Sequence, residues 1–343
     1  MKTKIILILF VLISINLNLL NAQRTVALHS ATGVKMFSGI NPFVDAYNAA
    51  ENGDTIYLPG GTFTSSPIDK QLFIYGAGYH PDSTVVTLPT YITSDINPGG
   101  NADGLVVEGV VFASGPNINH DVSASNMTFR RCRFNENISF NGNATPAGLS
   151  TGNMFAECLF MKTMELSNAA NCLFSNNIFI ESVNNSKSNT FKNNIFLRNE
   201  LCFNQVNNND ISNNVFIFTS NDWLVGGYYG SNGNIFNNNL LVAATPNYGN
   251  NPIISNNYTG VAQADIFVDQ TEYAFSYTHN YHLKNPASYP GSDGSQVGIY
   301  GGMFPFKTAS VPSNPHIQSK SIASETNSAG ELQIQIRVQA QNK

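Results

Sequence analysis

A short pattern that recurs along the middle of the chain most constrains what this sequence can fold into. Each copy has an apolar residue, two variable residues, a corner residue, one variable residue and a second apolar residue. Clear copies are Phe174–Phe179, Phe191–Phe196 and Ile211–Phe216. The corner residues of the copies, in chain order, are Val110, Cys132, Cys158, Asn177, Asn194, Asn214, Asn239 and Asn257. These intervals are too short and too poor in helix formers for helical repeats, so they indicate strands.

The pattern predicts a solenoid in which each copy is part of one coil of three short strands. One coil cannot bury its own inward side chains, so coils must stack about 4.8 Å apart and place like residues over like. A recurring Asn can then satisfy buried backbone groups and bond the Asn of the next coil. Cys132 and Cys158 belong to the same column, and we expect both to be small buried substitutes. The four cysteines have neither the number of a disulfide scaffold nor the paired spacing of a zinc site.

With this repeat, the chain resembles the right-handed parallel β-helices of the pectate-lyase-like superfamily. Residues 42–50 resemble the short helix that caps such a stack, and Gly53–Phe63 and Leu72–Gly78 resemble its first coils. The stretch from Asp265 to Gly301 resembles the closing segment of exported β-helices, and the combination is similar to secreted proteins of Bacteroidota. The resemblance implies an all-β fold with an Asn ladder. It does not imply one activity, because this fold carries lyases, hydrolases, esterases and structural proteins.

Residues 1–22 have the three zones of a secretory signal peptide. Lys2 and Lys4 precede an apolar run over residues 5–15, and Ala22 ends a plausible cleavage site. We therefore expect a mature chain that begins at Gln23 and is secreted, periplasmic or held at the cell surface. The apolar run is shorter than the roughly 20 residues that a bilayer requires, so no membrane span is expected after cleavage.

The remainder divides into a β-helix domain over residues 23–306 and a C-terminal tail over residues 307–343. In the tail, residues 331–341 alternate strictly between polar and apolar side chains. This period predicts one half-buried strand, with residues 317–322 as its partner in a β-hairpin.

Charge and histidine spacing exclude several classes of ligand. The net charge is -5, and no run of Lys or Arg follows the first four residues, so a nucleic-acid partner is not expected. The six histidines lack the local spacing of a metal site, and we predict neither a metal nor a cofactor. Arg130, Arg131 and Arg133 are expected to face solvent or to pair with Glu108 and Glu157, with anion binding as the alternative.

In enzymes of the resembled superfamily, the substrate lies in a groove along one parallel sheet. The outward residues expected there are Ser139, Glu165, Ser182, Asn184, Glu200, Cys202 and Asn204. A lyase needs Ca²⁺ ligands or cations and a base, and neither set is evident among them. A hydrolase needs two carboxylates, and Glu165 and Glu200, about 9 to 10 Å apart by coil spacing, border on the inverting range. With Asp222, they are the weak catalytic candidates.

An insertion over residues 221–234 supplies the aromatic candidates for ligand binding. Trp223, Tyr228 and Tyr229 can stack on sugar rings, with Asn204 beside them on the sheet; alternatively, they cover a small core of the loop itself. A second insertion over residues 141–153 is a candidate for the opposite wall.

The preferred hypothesis is an exported β-helix protein that binds extracellular polysaccharide on its lateral face, without evident catalytic machinery. Two alternatives stay open: a polysaccharide lyase or glycoside hydrolase that uses Glu165 and Glu200, and a structural or adhesive solenoid of the cell envelope.

Overall fold

The computed structural model describes residues 24–114, 124–140, 149–226 and 230–339. In this part of the chain, short strands form parallel sheets and there is very little helix. Neighbouring strands of a sheet come from successive coils, so each coil hydrogen-bonds to the next. The prediction of an all-β parallel solenoid is confirmed.

Three sheets form the sides of the stack, and we call them the first, second and third sheets. The strands of the first sheet, in spatial order, are Gly33–Phe37, Val26–Ser30, Thr55–Tyr57, Phe73–Tyr75, Val106–Glu108, Thr128–Arg130, Met154–Ala156, Leu173–Ser175, Thr190–Lys192, Asp210–Ser212, Ile235–Asn237 and Ile253–Ser255. Those of the second are Gly61–Phe63, Thr90–Ile92, Val111–Phe112, Arg133–Phe134, Leu159–Phe160, Ile178–Phe179, Ile195–Phe196, Val215–Phe216 and Leu240–Leu241. Those of the third are Ile138–Ser139, Met164–Glu165, Val183–Asn184 and Phe203–Asn204.

The remaining elements are short. Three strand pairs lie outside these sheets: parallel Ser150–Thr151 with Ala169–Ala170, antiparallel Phe267–Asp269 with Asn280–Leu283, and antiparallel His316–Ile322 with Ile334–Gln339. The α-helix of the described residues is α1, Pro42–Ala49. The 3₁₀ turns are Gly100–Ala102, Asn221–Trp223, Gln263–Asp265, Pro286–Ser288 and Thr308–Ser310.

Helix α1 lies at the N-terminal end of the stack, as predicted. Pro42 occupies its first turn, where the missing backbone N–H costs no helical hydrogen bond. Phe43 and Ala46 are buried in the main core and close its lower end. The adjoining strand Val26–Ser30 pairs antiparallel with Thr55–Tyr57, so the lowest strands depart from the parallel pattern above them.

Phenylalanine rings fill the interior in two stacks. On the first sheet, the ring centroids of Phe155 and Phe174 are 5.2 Å apart, and those of Phe174 and Phe191 are 4.8 Å apart. On the second sheet, Phe179 and Phe196 are 4.8 Å apart and nearly parallel. The spacing equals the separation of hydrogen-bonded strands, because the parallel register places each ring over its equivalent.

Asn177, Asn194, Asn214, Asn239 and Asn257 form what we call the first amide column, at the corner between the first and second sheets. Asn194 shows the bonding. Its Oδ1 accepts from the backbone N of Asn177 at 2.9 Å and from Asn177 Nδ2 at 3.1 Å. Its own Nδ2 donates to the carbonyl of Phe174 at 2.9 Å. Cys158 takes the corresponding place one coil below Asn177, with Sγ 3.4 Å from the carbonyl of Phe129.

A second amide column, which the sequence analysis missed, lies two residues before the first apolar position of each repeat. Its members are Asn153, Asn189, Asn209 and Asn234, with Cys172 between the first two. Asn209 Oδ1, for example, accepts from the backbone N of Asn189 at 2.9 Å. The signal was present as an Asn two residues before a Phe or Ile, but Cys172 interrupts it.

The outer face of the second sheet is covered by the closing part of the chain. Leu159, Ile178 and Ile195 on this face pack in a second apolar cluster with Ile266 and Tyr281. The second sheet therefore presents no open groove along this part of its surface.

Residues 290–316, which we call the return segment, run back along the corner from the upper coils toward the lower ones. Asn238 Nδ2 donates to the carbonyl of Pro290 at 2.9 Å, and Asn176 Nδ2 donates to that of Ile299 at 2.8 Å. Farther down, Arg131 Nη1 donates to the carbonyl of Val311 at 3.1 Å. The contacts follow reverse chain order, so the return segment joins the top of the stack to its base.

The strand Ile334–Gln339 pairs with His316–Ile322, but its expected half-burial is wrong. Ile334, Ile336 and Val338 are 54%, 57% and 58% exposed, and the polar residues between them are exposed as well. The alternation sets two faces of the hairpin, but neither face of this strand packs on the solenoid.

Candidate functional site

The third sheet carries one row of outward polar side chains, which we call the polar row: Ser139, Glu165, Asn184 and Asn204. Parallel pairing places these four residues directly over one another in successive coils. The residues before them in each strand, among them Met164 and Phe203, point inward and are buried. This division follows from the two-residue period of a strand.

The carboxylate of Glu165 is held in place by two donors. Ser167 Oγ donates to its Oε1 at 2.6 Å, and Asn185 Nδ2 donates to its Oε2 at 2.9 Å. Asn185 adopts a left-handed backbone conformation with φ of 54°, which Asn tolerates better than most residues. The sequence analysis missed both donors, although an Asn directly after a row residue is a usable signal.

Two polar atoms of the row are buried without a hydrogen-bond partner among the described residues. They are Ser139 Oγ and Asn184 Oδ1. A buried polar atom without a partner costs about 1 to 3 kcal/mol, so most such atoms in folded proteins bind a ligand, water or another protein group. These two atoms have almost no accessible surface, so the groups of the row that a ligand can reach belong to the half-buried side chains of Glu165, Asn184 and Asn204.

The row continues upward into the segment that contains Trp223. The backbone N of Cys202 donates to the carbonyl of Trp223 at 2.7 Å, and Gly226 N donates to the carbonyl of Phe203 at 2.8 Å. Gly226 thus follows Asn204 in the row, where a Cβ would approach Asn204 Oδ1 to 3.1 Å. A glycine here keeps the amide of Asn204 uncovered.

The predicted aromatic residues have different outcomes. Trp223 lies in the 3₁₀ turn Asn221–Trp223, where its side chain is half-buried and packs against the main core. Tyr228 and Tyr229 lie outside the described residues, as does most of the insertion over residues 141–153. Asp222 is exposed in the same turn as Trp223.

The two candidate catalytic glutamates have separate partners. Glu165 belongs to the polar row, whereas Glu200 precedes the strand Phe203–Asn204 and is exposed. Glu200 Oε2 accepts from Arg198 Nη2 at 3.0 Å, and the other side of this guanidinium binds Glu181, also at 3.0 Å.

The expectation that Cys202 faces outward is wrong. Cys202 is fully buried, and so is the next residue, Phe203, because the chain turns just before this short strand and breaks the alternation. Burial raises the pKa of the Cys202 thiol far above its usual range. All four cysteines are buried and free of disulfides, and buried structural cysteines of this kind are unreactive.

The part of the chain that the structure describes contains no group of three or more His, Cys, Asp or Glu side chains that could hold a metal ion. It also contains no helix with the length and apolar character needed to cross a membrane.

Compared with known proteins, the chain matches no family model, no curated protein sequence and no solved structure.

Proposed function

We propose that the protein is exported and binds an extracellular polysaccharide along the polar row of the third sheet. The observation that carries this proposal is the in-register row of Ser139, Glu165, Asn184 and Asn204, whose last three members are half-buried and reach the surface. A saccharide chain presents hydroxyl groups at regular intervals, and each hydroxyl can both donate and accept a hydrogen bond. A straight row of fixed acceptors and donors suits such a ligand.

The aromatic residues that follow the row in the sequence support the same proposal. Gly226 leaves Asn204 uncovered, and the sequence continues within three residues to Tyr228 and Tyr229. In the proposed complex, these rings and Trp223 stack on the apolar faces of sugar residues, while the row supplies the polar contacts.

The proposal includes the finer features that the resemblance implies. We infer that the coils wind right-handed, that the amide columns act as Asn ladders, and that the chain belongs with pectate-lyase-like β-helices. The hydrogen-bonded columns of Asn and the stacked Phe rings support these inferences. The signal-like pattern of residues 1–22 supports export to the cell surface, the periplasm or the medium.

The test is a glycan array on the protein that starts at Gln23, read for binding and for release of reducing or unsaturated sugar ends. We expect binding without products. The variants Asn184→Leu and Asn204→Leu should weaken binding by about tenfold or more, because each removes hydrogen bonds worth about 1.4 kcal/mol or more in a desolvated site. Asn285→Leu, at an exposed Asn outside the row, is the matched control.

Other outcomes point to the alternatives. Products that disappear in Glu165→Gln and Glu200→Gln would replace the binding proposal with a polysaccharide-degrading enzyme. Unchanged binding in both row variants would move the ligand elsewhere. An array without binding or products would favour the structural solenoid and overturn the proposal.

A further inference from the structure

The upper end of the stack is open, whereas its lower end is closed. The lower end carries helix α1, whose Phe43 and Ala46 are buried in the main core. The upper end is the coil that contains Ile253–Ser255, the last strand of the first sheet, which pairs only with the strand below it among the described residues. Its middle residue, Ile254, occupies the inward position above Phe236 but is 49% exposed. The core therefore ends at an uncovered apolar side chain.

Backbone groups along this upper edge have no described coil above them. The backbone N of Ile253 donates downward to the carbonyl of Asn234 at 2.9 Å, so the N–H and C=O of the next residue, Ile254, point upward. The first amide column ends here as well. Asn257 Oδ1 accepts from the backbone N of Asn239 at 2.9 Å, but no described residue supplies an acceptor to the N of Asn257. The edge is therefore a template for one more strand.

The upper edge lacks the charges that protect most free strand edges. Residues 223–264 contain no Asp, Glu, Lys or Arg. Edge strands in folded proteins generally carry charged residues, Lys above all, which prevent pairing with another chain. The lower edge strand of the same sheet, Gly33–Phe37, carries such a residue, the exposed Lys35. The upper end has no charge that would oppose contact with a second upper end.

The geometry of the upper edge suits a second copy of the chain. In antiparallel pairing about a two-fold axis through Ile254, each Ile254 donates to and accepts from the other, and Ile253 lies opposite Ser255. An axis along the inward direction keeps the two interiors in line, so the two Ile254 side chains cover each other. The lower end already uses antiparallel pairing, where Val26–Ser30 joins Thr55–Tyr57. We propose that two copies of the protein form a dimer through their upper ends.

The proposed contact is limited to two copies. A contact between identical surfaces is closed by its two-fold axis, whereas a contact of upper with lower ends would continue into a fibre. The dimer also leaves the polar row open, because the third sheet ends at Phe203–Asn204, below the last coil. The inference therefore does not depend on polysaccharide binding, and its test uses no saccharide.

Analytical ultracentrifugation of the protein that starts at Gln23, over about 1 to 100 μM, tests the dimer. We expect a concentration-dependent equilibrium of monomer and dimer without larger species. Ile254→Lys would place two cations opposite each other and should raise the dissociation constant at least about tenfold. Ile334→Lys, at a 54% exposed Ile of the tail hairpin, is the matched control. A natural chain that stays monomeric over the whole range, or that forms larger species, would overturn the proposal.

Cysteine cross-linking under mild oxidation tests the register. Ile254→Cys places two thiols at the two-fold axis, where facing Cα atoms about 5.5 Å apart allow a disulfide. Ile253→Cys is the control, because this residue is 60% exposed but its two copies lie more than about 7 Å apart, beyond disulfide reach. The natural cysteines are buried, so they should not cross-link. We expect a covalent dimer from Ile254→Cys alone; equal cross-linking of both variants, or none in Ile254→Cys, would contradict the proposed pairing.

Discussion

The upper and lower coils build the same corner from different side chains. In the upper coils, the corner between the first and second sheets is an Asn pair, such as Asn193-Asn194. In the lower coils, it is Arg131-Cys132 or Glu157-Cys158. In each pair the first residue has φ between 50° and 59°, and the second points into the core. The backbone is thus conserved along the stack while the chemistry changes.

The difference lies in where each corner finds its partners. In the upper coils, the inward amides bond one another, so each coil is satisfied by its neighbour. In the lower coils, the guanidinium of Arg131 is fully buried between Glu108 and Glu157, with a 3.0 Å contact to each. Those carboxylates also accept from the backbone N of Ser313 and Lys307. The outward residues of the upper corners, such as Asn176 and Asn238, also donate to carbonyls of the return segment. The lower corner differs because the return segment there supplies donors to buried carboxylates, so the comparison predicts different responses to substitution.

The largest effect is expected for Arg131→Asn. Asn tolerates the left-handed backbone at this position, so the change removes the charge without adding backbone strain. It leaves two buried carboxylates without their cation, and the free energy of unfolding should fall by about 3 to 5 kcal/mol. Denaturant unfolding measures this loss, with Arg337→Asn on the exposed hairpin as the control. A loss no larger than that of the control would erase the proposed difference between the corners.

A smaller loss is expected for Asn194→Ala in the first amide column. The change removes the acceptor of the Asn177 backbone N and the donor to the Phe174 carbonyl. Two buried backbone groups lose their partners, so the free energy of unfolding should fall by about 2 to 4 kcal/mol. Asn285→Ala, at an exposed site, controls for the loss of an amide. If Asn194→Ala unfolds at the same denaturant concentration as this control, the column does not stabilise the upper coils.

The smallest effect at neutral pH is expected for Cys158→Asn, which extends the upper chemistry into a lower coil. The Asn amide can reach the Phe129 carbonyl that Cys158 Sγ already contacts, so the free energy of unfolding should change by less than about 1 kcal/mol. A larger loss at pH 7.5 would show that this corner cannot accept an amide.

The same variant should differ from the natural chain in alkali. Burial raises the pKa of the Cys158 thiol, so the folded state keeps a proton that the unfolded state loses above about pH 8.5. This contribution to stability is complete below that pH and falls by about 1.4 kcal/mol per pH unit above it. Denaturant unfolding under reducing conditions measures this difference. From pH 7.5 to pH 10, the free energy of unfolding of Cys158→Asn should rise by about 2 kcal/mol relative to that of the natural chain. An equal fall in the free energy of unfolding of the natural chain and of Cys158→Asn between these two pH values would contradict this prediction.

The sequence predicted the parallel solenoid because its signal lies in side chains that recur at inward positions. The stacked Phe rings follow from the same register. The second amide column was missed because Cys172 replaces one of its members. Cys202 was misplaced because strands of two residues are too short for alternation to survive the turn before them.

The return segment could not be predicted from sequence patterns. Most contacts of the return segment use its backbone, as at Ile299 and Val311, and backbone atoms leave no trace in composition. Of the polar row, Glu165, Asn184 and Asn204 followed from strand period, whereas the donors that hold Glu165 required coordinates.

The return segment also determines when the hydrogen bonds of the lower coils can be completed, because it is synthesised long after those coils. Arg131 and Val311 are 180 positions apart, so at about 5 to 20 residues per second the ribosome makes them roughly 10 to 40 s apart. During that interval the lower coils contain a charge cluster whose last partners do not yet exist. A chain that ends before residue 307 would consequently leave the carboxylates of Glu108 and Glu157 without their backbone donors, in coils that were made first and lie far from the break itself.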